Sequence, residues 1–277
     1  MFSGKKKGWL LFFALIFFSY LILPGKVNAM VFASSDMDLS NLSFSSPDPM
    51  AELFWTDEWY GTVSAHAYDT DSGSDDDFDD LYGNEGSISA TANTAHVDSM
   101  AEYSVVMGDI VAIENDASIK ASTHSDLELY NVGQADGDAT ADFDNFFIIF
   151  GGVPGDPVDI TFTLDYSGQL TGNADAFGYF SIALGALLQL EDCMGYLLDE
   201  DSVFEIHSGT NTYFHDEYNG SLTVSATLFY EEEYWLYAGA DSEVYGANAV
   251  PEPGTLFLLL LSLPFIVWKK GWKRQAL

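Results

Sequence analysis

The chain has 277 residues, with 9 Lys and Arg against 43 Asp and Glu, a formal net charge of −34. Eight of the nine bases lie in the first 29 or the last nine residues, so residues 30–250 carry 42 acids and one base, Lys120, a net charge of −41. That balance excludes nucleic-acid binding, which needs a basic face to neutralise phosphates, and unassisted docking of the middle region on anionic lipid. The single cysteine, Cys193, excludes an intrachain disulfide. Among the acids around it, Cys193 reads as buried or inert rather than as a nucleophile.

Residues 1–29 open with Lys5-Lys6-Lys7. An apolar run from Trp9 to Leu23 follows, then Pro24-Gly25 and Val27-Asn28-Ala29. This is the three-part secretory signal pattern, predicting an N-terminal signal helix and cleavage by signal peptidase after Ala29. Val31-Phe32-Ala33 also fits the small-x-small rule but lies farther from the apolar run. An uncleaved anchor is the alternative, although about 15 apolar residues are short for a permanent span.

Residues 30–249 form the predicted acidic extracytoplasmic domain. Residues 34–50, rich in Ser with Pro47 and Pro49, read as an irregular lead-in. Ser87–Val97 alternates small and polar residues, as a strand with a thin core face does. Gly151–Pro157 is a turn between Phe146–Phe150 and a strand in which Val158, Ile160, Phe162, Leu164 and Tyr166 alternate with polar residues. The same period of two runs through Ile182–Leu190 and Leu222–Tyr230. Glu231-Glu232-Glu233 then reads as the charged tip of a hairpin leading into Tyr234–Tyr245. No long helical period occurs in this region. Many short strands with turn signals predict an all-β fold, an antiparallel β-sandwich, jelly-roll-like.

Residues 250–277 hold Pro251-Glu252-Pro253, an apolar stretch from Leu256 to Trp268, and a basic tail ending in Lys273-Arg274. The prolines hold the motif extended, as a protease cleft needs. The apolar stretch predicts a short transmembrane helix of about 20 Å, less than the roughly 30 Å hydrocarbon core, which suits a temporary anchor. Both basic clusters would stay on the cytoplasmic side and the acidic region would be exported.

The motif, apolar helix and basic tail, paired with a signal peptide, resemble the PEP-CTERM sorting domain. The stretch from Phe146 to Leu190 loosely resembles the β-sandwich regions of secreted proteins of that class. The resemblance implies export by a Gram-negative bacterium that makes exopolysaccharide. It also implies processing by an exosortase-type transpeptidase, with Pro251, Glu252 and Pro253 as the recognition motif. The precursor would be anchored in the inner membrane, and the product would reside at the cell surface or in the extracellular biofilm matrix.

The densest acid run, Asp69 to Asp80, places Asp69, Asp71, Asp75, Asp77 and Asp80 at positions one, three, seven, nine and twelve of a candidate Ca²⁺ loop. Gly73 falls at five rather than six and no helices flank the run, so an EF-hand is disfavoured. A looser Ca²⁺ site is weighed against the favoured reading, a solvated acidic loop. Asp136, Asp138, Asp142 and Asp144 form a second acid cluster, and Asp199-Glu200-Asp201 a third. No histidine pair has zinc spacing, and no nucleophile elbow or phosphate loop occurs. Phe54, Trp55, Trp59, Tyr60, Tyr230, Tyr234, Trp235 and Tyr237 lie beside acids and could face a sugar ring, but core packing is the favoured reading. The leading expectation is a non-enzymatic exported surface or exopolysaccharide-matrix protein. The alternatives are a Ca²⁺-assisted carbohydrate-binding module and a secreted polysaccharide hydrolase.

Overall fold

The computed structural model describes residues 30–56, 59–83, 85–106, 118–130 and 133–248. Ala29, the motif Pro251–Pro253 and both predicted apolar end segments lie outside the described residues. Among these residues thirteen strands, all paired antiparallel, make two sheets. In chain order they are β1 (Val31–Ser45), β2 (Glu52–Trp55), β3 (Tyr60–Asp69), β4 (Gly73–Tyr82), β5 (Glu85–Asn93), β6 (Val97–Val106) and β7 (Ser118–Leu129). Then come β8 (Gly133–Phe150), β9 (Pro157–Ala174), β10 (Gly178–Asp192), β11 (Leu197–Gly209), β12 (Thr212–Phe229) and β13 (Glu233–Asn248). The first sheet has the order β12-β9-β1-β7-β6-β5. The second has β11-β10-β13-β8-β3-β4, with β2 added beside β8. The described residues are all-β, two antiparallel sheets forming a sandwich as predicted.

Three local expectations are corrected. The stretch 34–50 is not a lead-in: most of it is β1, an interior strand paired with β7 on one side and β9 on the other. Its inward face is Val31, Ala33, Ser35, Met37 and Leu39, all buried. Ser35 is tolerated there because its Oγ donates to the Ala183 carbonyl across the core at 2.5 Å. Glu231–Glu233 is not a hairpin tip, because β12 and β13 lie in different sheets. The segment is an arch that crosses the sandwich, braced against the parallel crossing from β8 to β9. Tyr230 N donates to Asp156 O, Gly155 N to Tyr230 O, and Glu231 N to Ile149 O. Last, the acid run from Asp69 to Asp80 is a turn followed by strand β4 rather than a loop.

The core changes character along the sandwich. Near the Gly151 end it is aromatic: Trp59 is fully buried, 4.6 Å from Trp55 and 5.8 Å from Phe143 between ring centroids, and Phe147 sits edge-on to Phe162 at 5.0 Å. This settles part of the aromatic cluster as core, while Phe54 and Tyr60 stay exposed. Farther along, the facing residues are small. Ser125 Oγ lies 3.2 Å from Ser242 Oγ, and a Cβ on Gly137 would come within 2.5 Å of Ser99 Oγ and Val97 Cγ1. Small residues let the sheets approach, so a packed interior is reached without large side chains.

Gly61 on β3 shows how tight this is, because a Cβ there would lie 2.1 Å from the ring of buried Tyr103. Gly61→Ala is expected to destabilise the protein by about 1–3 kcal/mol through overpacking. A melting temperature equal to wild type would show that Tyr103 can move aside.

Candidate functional site

The five sequence-predicted Ca²⁺ residues fall into different environments. Asp69, buried at the end of β3, closes the turn by accepting from Asp71 N at 2.7 Å and from Ser72 N and Ser72 Oγ at 2.6 Å each. Burial alone would raise its pKa, but the Ser72, Thr94 and Asp71 hydrogen bonds outweigh it and hold the carboxyl well below the usual range. Asp71 is exposed, 3.7 Å from His96 Nε2. Asp75 and Asp77 project toward the edge of the other sheet, whereas Asp80 lies on the opposite side of β4, given strand alternation. Among the described residues, no group of three or more His, Cys, Asp or Glu side chains converges closely enough to hold a metal ion.

The alternate acids of this run have another task. Asp75 Oδ2 accepts from Asn93 N and Asp77 Oδ2 from Thr91 N, both at 2.9 Å. Those amides belong to β5, the outermost strand of its sheet, and have no strand partner on that side. At the opposite edge of the sandwich the device recurs. Asp199 Oδ2 accepts from Ser225 N at 2.7 Å and Asp201 Oδ2 from Thr223 N at 2.8 Å, on the outermost strand β12. The middle acid of each triplet turns the other way, to a side chain on the adjacent strand. Asp76 meets His66 Nδ1 at 2.5 Å, and Glu200 accepts from Gln189 Nε2 at 2.7 Å. Strand alternation thus divides both triplets between edge amides and the outer face.

The second cluster lies on one strand. Asp136, Asp138, Asp142 and Asp144 alternate along the outer face of β8, with Asp241 and Glu243 of β13 beside them in register. Burial raises the pKa of Asp138, Asp142 and Asp144. Burial, with Glu243 next, pushes Asp241 up to about 6. His66 is raised chiefly by its hydrogen bond to Asp76.

The outer face of the other sheet carries a trough that sequence spacing does not signal. Two depressions of about 630 and 450 Å³ share Asp38 and Ser122 and run across its strands. Register sets one wall: Met100, His124, Asp36, Gln169 and Glu217 sit side by side on β6, β7, β1, β9 and β12. His124 is held between two carboxylates, with Nδ1 on Asp36 and Nε2 3.0 Å from Asp126. The hydrogen bonds to Asp126 and Asp36 raise its pKa to about 10, against the opposing effect of burial. Lys120, the one lysine of residues 30–250, lines the second depression. The trough therefore gathers ammonium, imidazolium, carboxylate, amide and hydroxyl groups on one surface. Asp36 and His124 are 88 residues apart in sequence; only the outward phase of the alternation in β1 and β7 could have hinted at their meeting.

Cys193 is exposed in the β10–β11 turn rather than buried. His96 sits in the β5–β6 turn, not in a strand. No helix among the described residues is long and apolar enough to cross a membrane.

No family model matches the chain, and no curated protein matches it. Among solved structures, a β-glucuronidase from glycoside hydrolase family 2 aligns at 10% identity over 73% of this chain and 29% of that one, with a TM-score of 0.12. A structure of infectious bursal disease virus, Gx strain, aligns at 11% identity over 81% of this chain and 63% of that one, with a TM-score of 0.08. The chain thus spans less than two thirds of either, and similarity at this level carries no argument about fold or function.

Two outcomes are expected. Asp199→Ala with Asp201→Ala should bare the β12 amides, speed hydrogen exchange at residues 223 and 225, and shift the protein toward self-association in sedimentation. Glu200→Ala removes a like charge but no edge contact, and should do none of this; equal behaviour of the two variants would refute the edge role. The second concerns Asp241. An unfolded aspartate releases its proton near pH 4, so between about pH 4 and 6 the folded chain holds a proton that the unfolded chain has lost. Stability at this residue falls as pH rises through that window. Asp241→Asn should stabilise by on the order of 1 kcal/mol at pH 7 and by nothing at pH 3.5, read from melting curves.

Proposed function

We propose that residues 30–249 are the exported, non-enzymatic part of a surface or exopolysaccharide-matrix protein, delivered by a cleaved signal peptide and processed at Pro251-Glu252-Pro253 by an exosortase-type transpeptidase. One observation carries this reading beyond the sequence. The first and last described residues meet at one end of the sandwich: a Cβ on Gly178 would lie 3.2 Å from Met30 O and 3.0 Å from Asn248 Oδ1. Met30 and Asn248, the described residues nearest in sequence to the two apolar segments, are therefore neighbours in space. A precursor carrying both would be held by a single end, with its faces free. The reading also takes the winding as jelly-roll-like. In support, the β9–β12 pair in one sheet continues through two crossings into the β10–β11 hairpin of the other.

The test is expression of the full chain in an exopolysaccharide-making Gram-negative host with its transpeptidase, and intact mass of the extracellular product. Loss of the tail, and its retention in Glu252→Ala, are expected. A wild-type product that keeps its tail in every extracellular molecule would overturn the proposal.

A second reading, a Ca²⁺-assisted carbohydrate-binding module, is favoured by the trough. Its mixture of donors and acceptors suits a neutral polyhydroxylated chain laid across the strands. Gln169→Ala is expected to weaken binding of the host polysaccharide about tenfold, roughly 1.4 kcal/mol. Calorimetry that shows no heat with wild type, with or without Ca²⁺, would sink it.

A further inference from the structure

Met30 is the first described residue and lies directly before β1. Its backbone is bracketed by one residue from both sides. Met30 N donates to Asp175 Oδ2 at 3.0 Å, and Asp175 N donates to Met30 O at 3.2 Å. Asp175 is itself fixed in the turn between β9 and β10. Its Oδ1 accepts from Phe177 N at 2.9 Å and Gly178 N at 3.1 Å, and its carbonyl accepts from Asn211 N at 2.9 Å. One carboxylate oxygen is thus committed to the turn and the other is aimed at the nitrogen of Met30.

We propose that cleavage after Ala29 turns this nitrogen into an α-ammonium that pairs with Asp175 and fastens the start of β1; this rests on the export reading above. Hydrolysis of the Ala29–Met30 bond consumes one water, leaves a carboxylate on Ala29 and an amine on Met30, and the amine takes a proton at neutral pH. The product gains a cation at a preorganised carboxylate, in a domain that otherwise has one lysine against 42 acids. A carboxylate within hydrogen-bond distance favours the charged amine. The neighbouring positions on β9, β10 and β13 are Ala174, Gly178 and Asn248, none ionisable; at the end of β7, Glu128 and Tyr130 just after it bond to each other at 2.7 Å.

The same geometry decides between the two cleavage positions. Cutting after Ala33 would remove Val31 and Ala33, both fully buried, and their pairings with Leu129 and Leu127 of β7 and Ala174 and Gly172 of β9. Cutting after Ala29 removes none of the described residues and places the new terminus on its acceptor.

The experiment uses the full chain exported with its own leader, and a second preparation of residues 30–277 released from a fusion with Met30 first. N-terminal sequencing of the exported form is expected to read Met-Val-Phe. A product starting at Ser34, or one retaining the leader, overturns the cleavage and with it the export reading's signal. The second preparation tests the pairing by itself. Its α-amine should titrate about one unit above the usual value near 7.7, by pH-dependent amine labelling, and return to that value in Asp175→Asn. Asparagine keeps an oxygen for Phe177 and Gly178 but no charge, so a merely structural role would leave the titration unchanged. An ordinary amine midpoint in wild type, or one unmoved by the substitution, overturns the pairing even where sequencing reads Met30.

Discussion

A carboxylate accepting a backbone N–H is the interaction on which this sandwich depends. With 42 acids and one lysine between residues 30 and 250, conventional ion pairs cannot neutralise the charge. The described structure instead turns carboxylates into acceptors for groups that need one. Asp69 and Asp175 hold turns, while Asp75, Asp77, Asp199 and Asp201 close edges. Hydrogen bonds to an ionised acceptor are among the stronger ones. Each also places the negative charge on a partially positive amide rather than on another acid. What looks in composition like an excess of repulsion is in part a supply of acceptors.

The rest of the charge is accommodated less comfortably. The outer face of β8 and β13 crowds Asp138, Asp142, Asp144 and Asp241; burial raises the proton affinity of all four, and neighbouring acids add to it at Asp138, Asp142 and Asp241. On the opposite face His124 sits between Asp36 and Asp126 and stays protonated well above neutrality. One sheet therefore raises the proton affinity of its acids, and the other holds a proton between two of them. These are two answers to the same scarcity of cations.

The sequence revealed strands where alternation was carried by large apolar residues. Val158–Tyr166 and Ile182–Leu190 lie in the strands read from them, and Leu222–Tyr230 does so up to Phe229, Tyr230 opening the arch. It hid strands whose inward residues are small or polar. β1 alternates through Ala33 and Ser35, and its Ser-rich surroundings look like an irregular segment until Ser35 finds the Ala183 carbonyl. β4 reads as loop because aspartate disfavours strands, and tertiary hydrogen bonds override that preference. The arch at Glu231–Glu233 has a hairpin's composition; what distinguishes it is which partners β12 and β13 find, and periodicity does not encode partners. The trough was illegible for the same reason, since Asp36, His124 and Gln169 meet through register alone.

The meeting of Met30 and Asn248 at Gly178 also fixes a reach. β9 runs its 18 residues from Pro157, beside the far crossings, to Ala174 at the joined ends. At about 3.3 Å per residue that is roughly 60 Å, several times the ~8 Å over which physiological salt lets a surface charge be felt. A charged surface brought against Met30 and Asn248 would leave the Gly151–Pro157 pole clear of its electric field, and that pole would meet the medium on the domain's own charge alone.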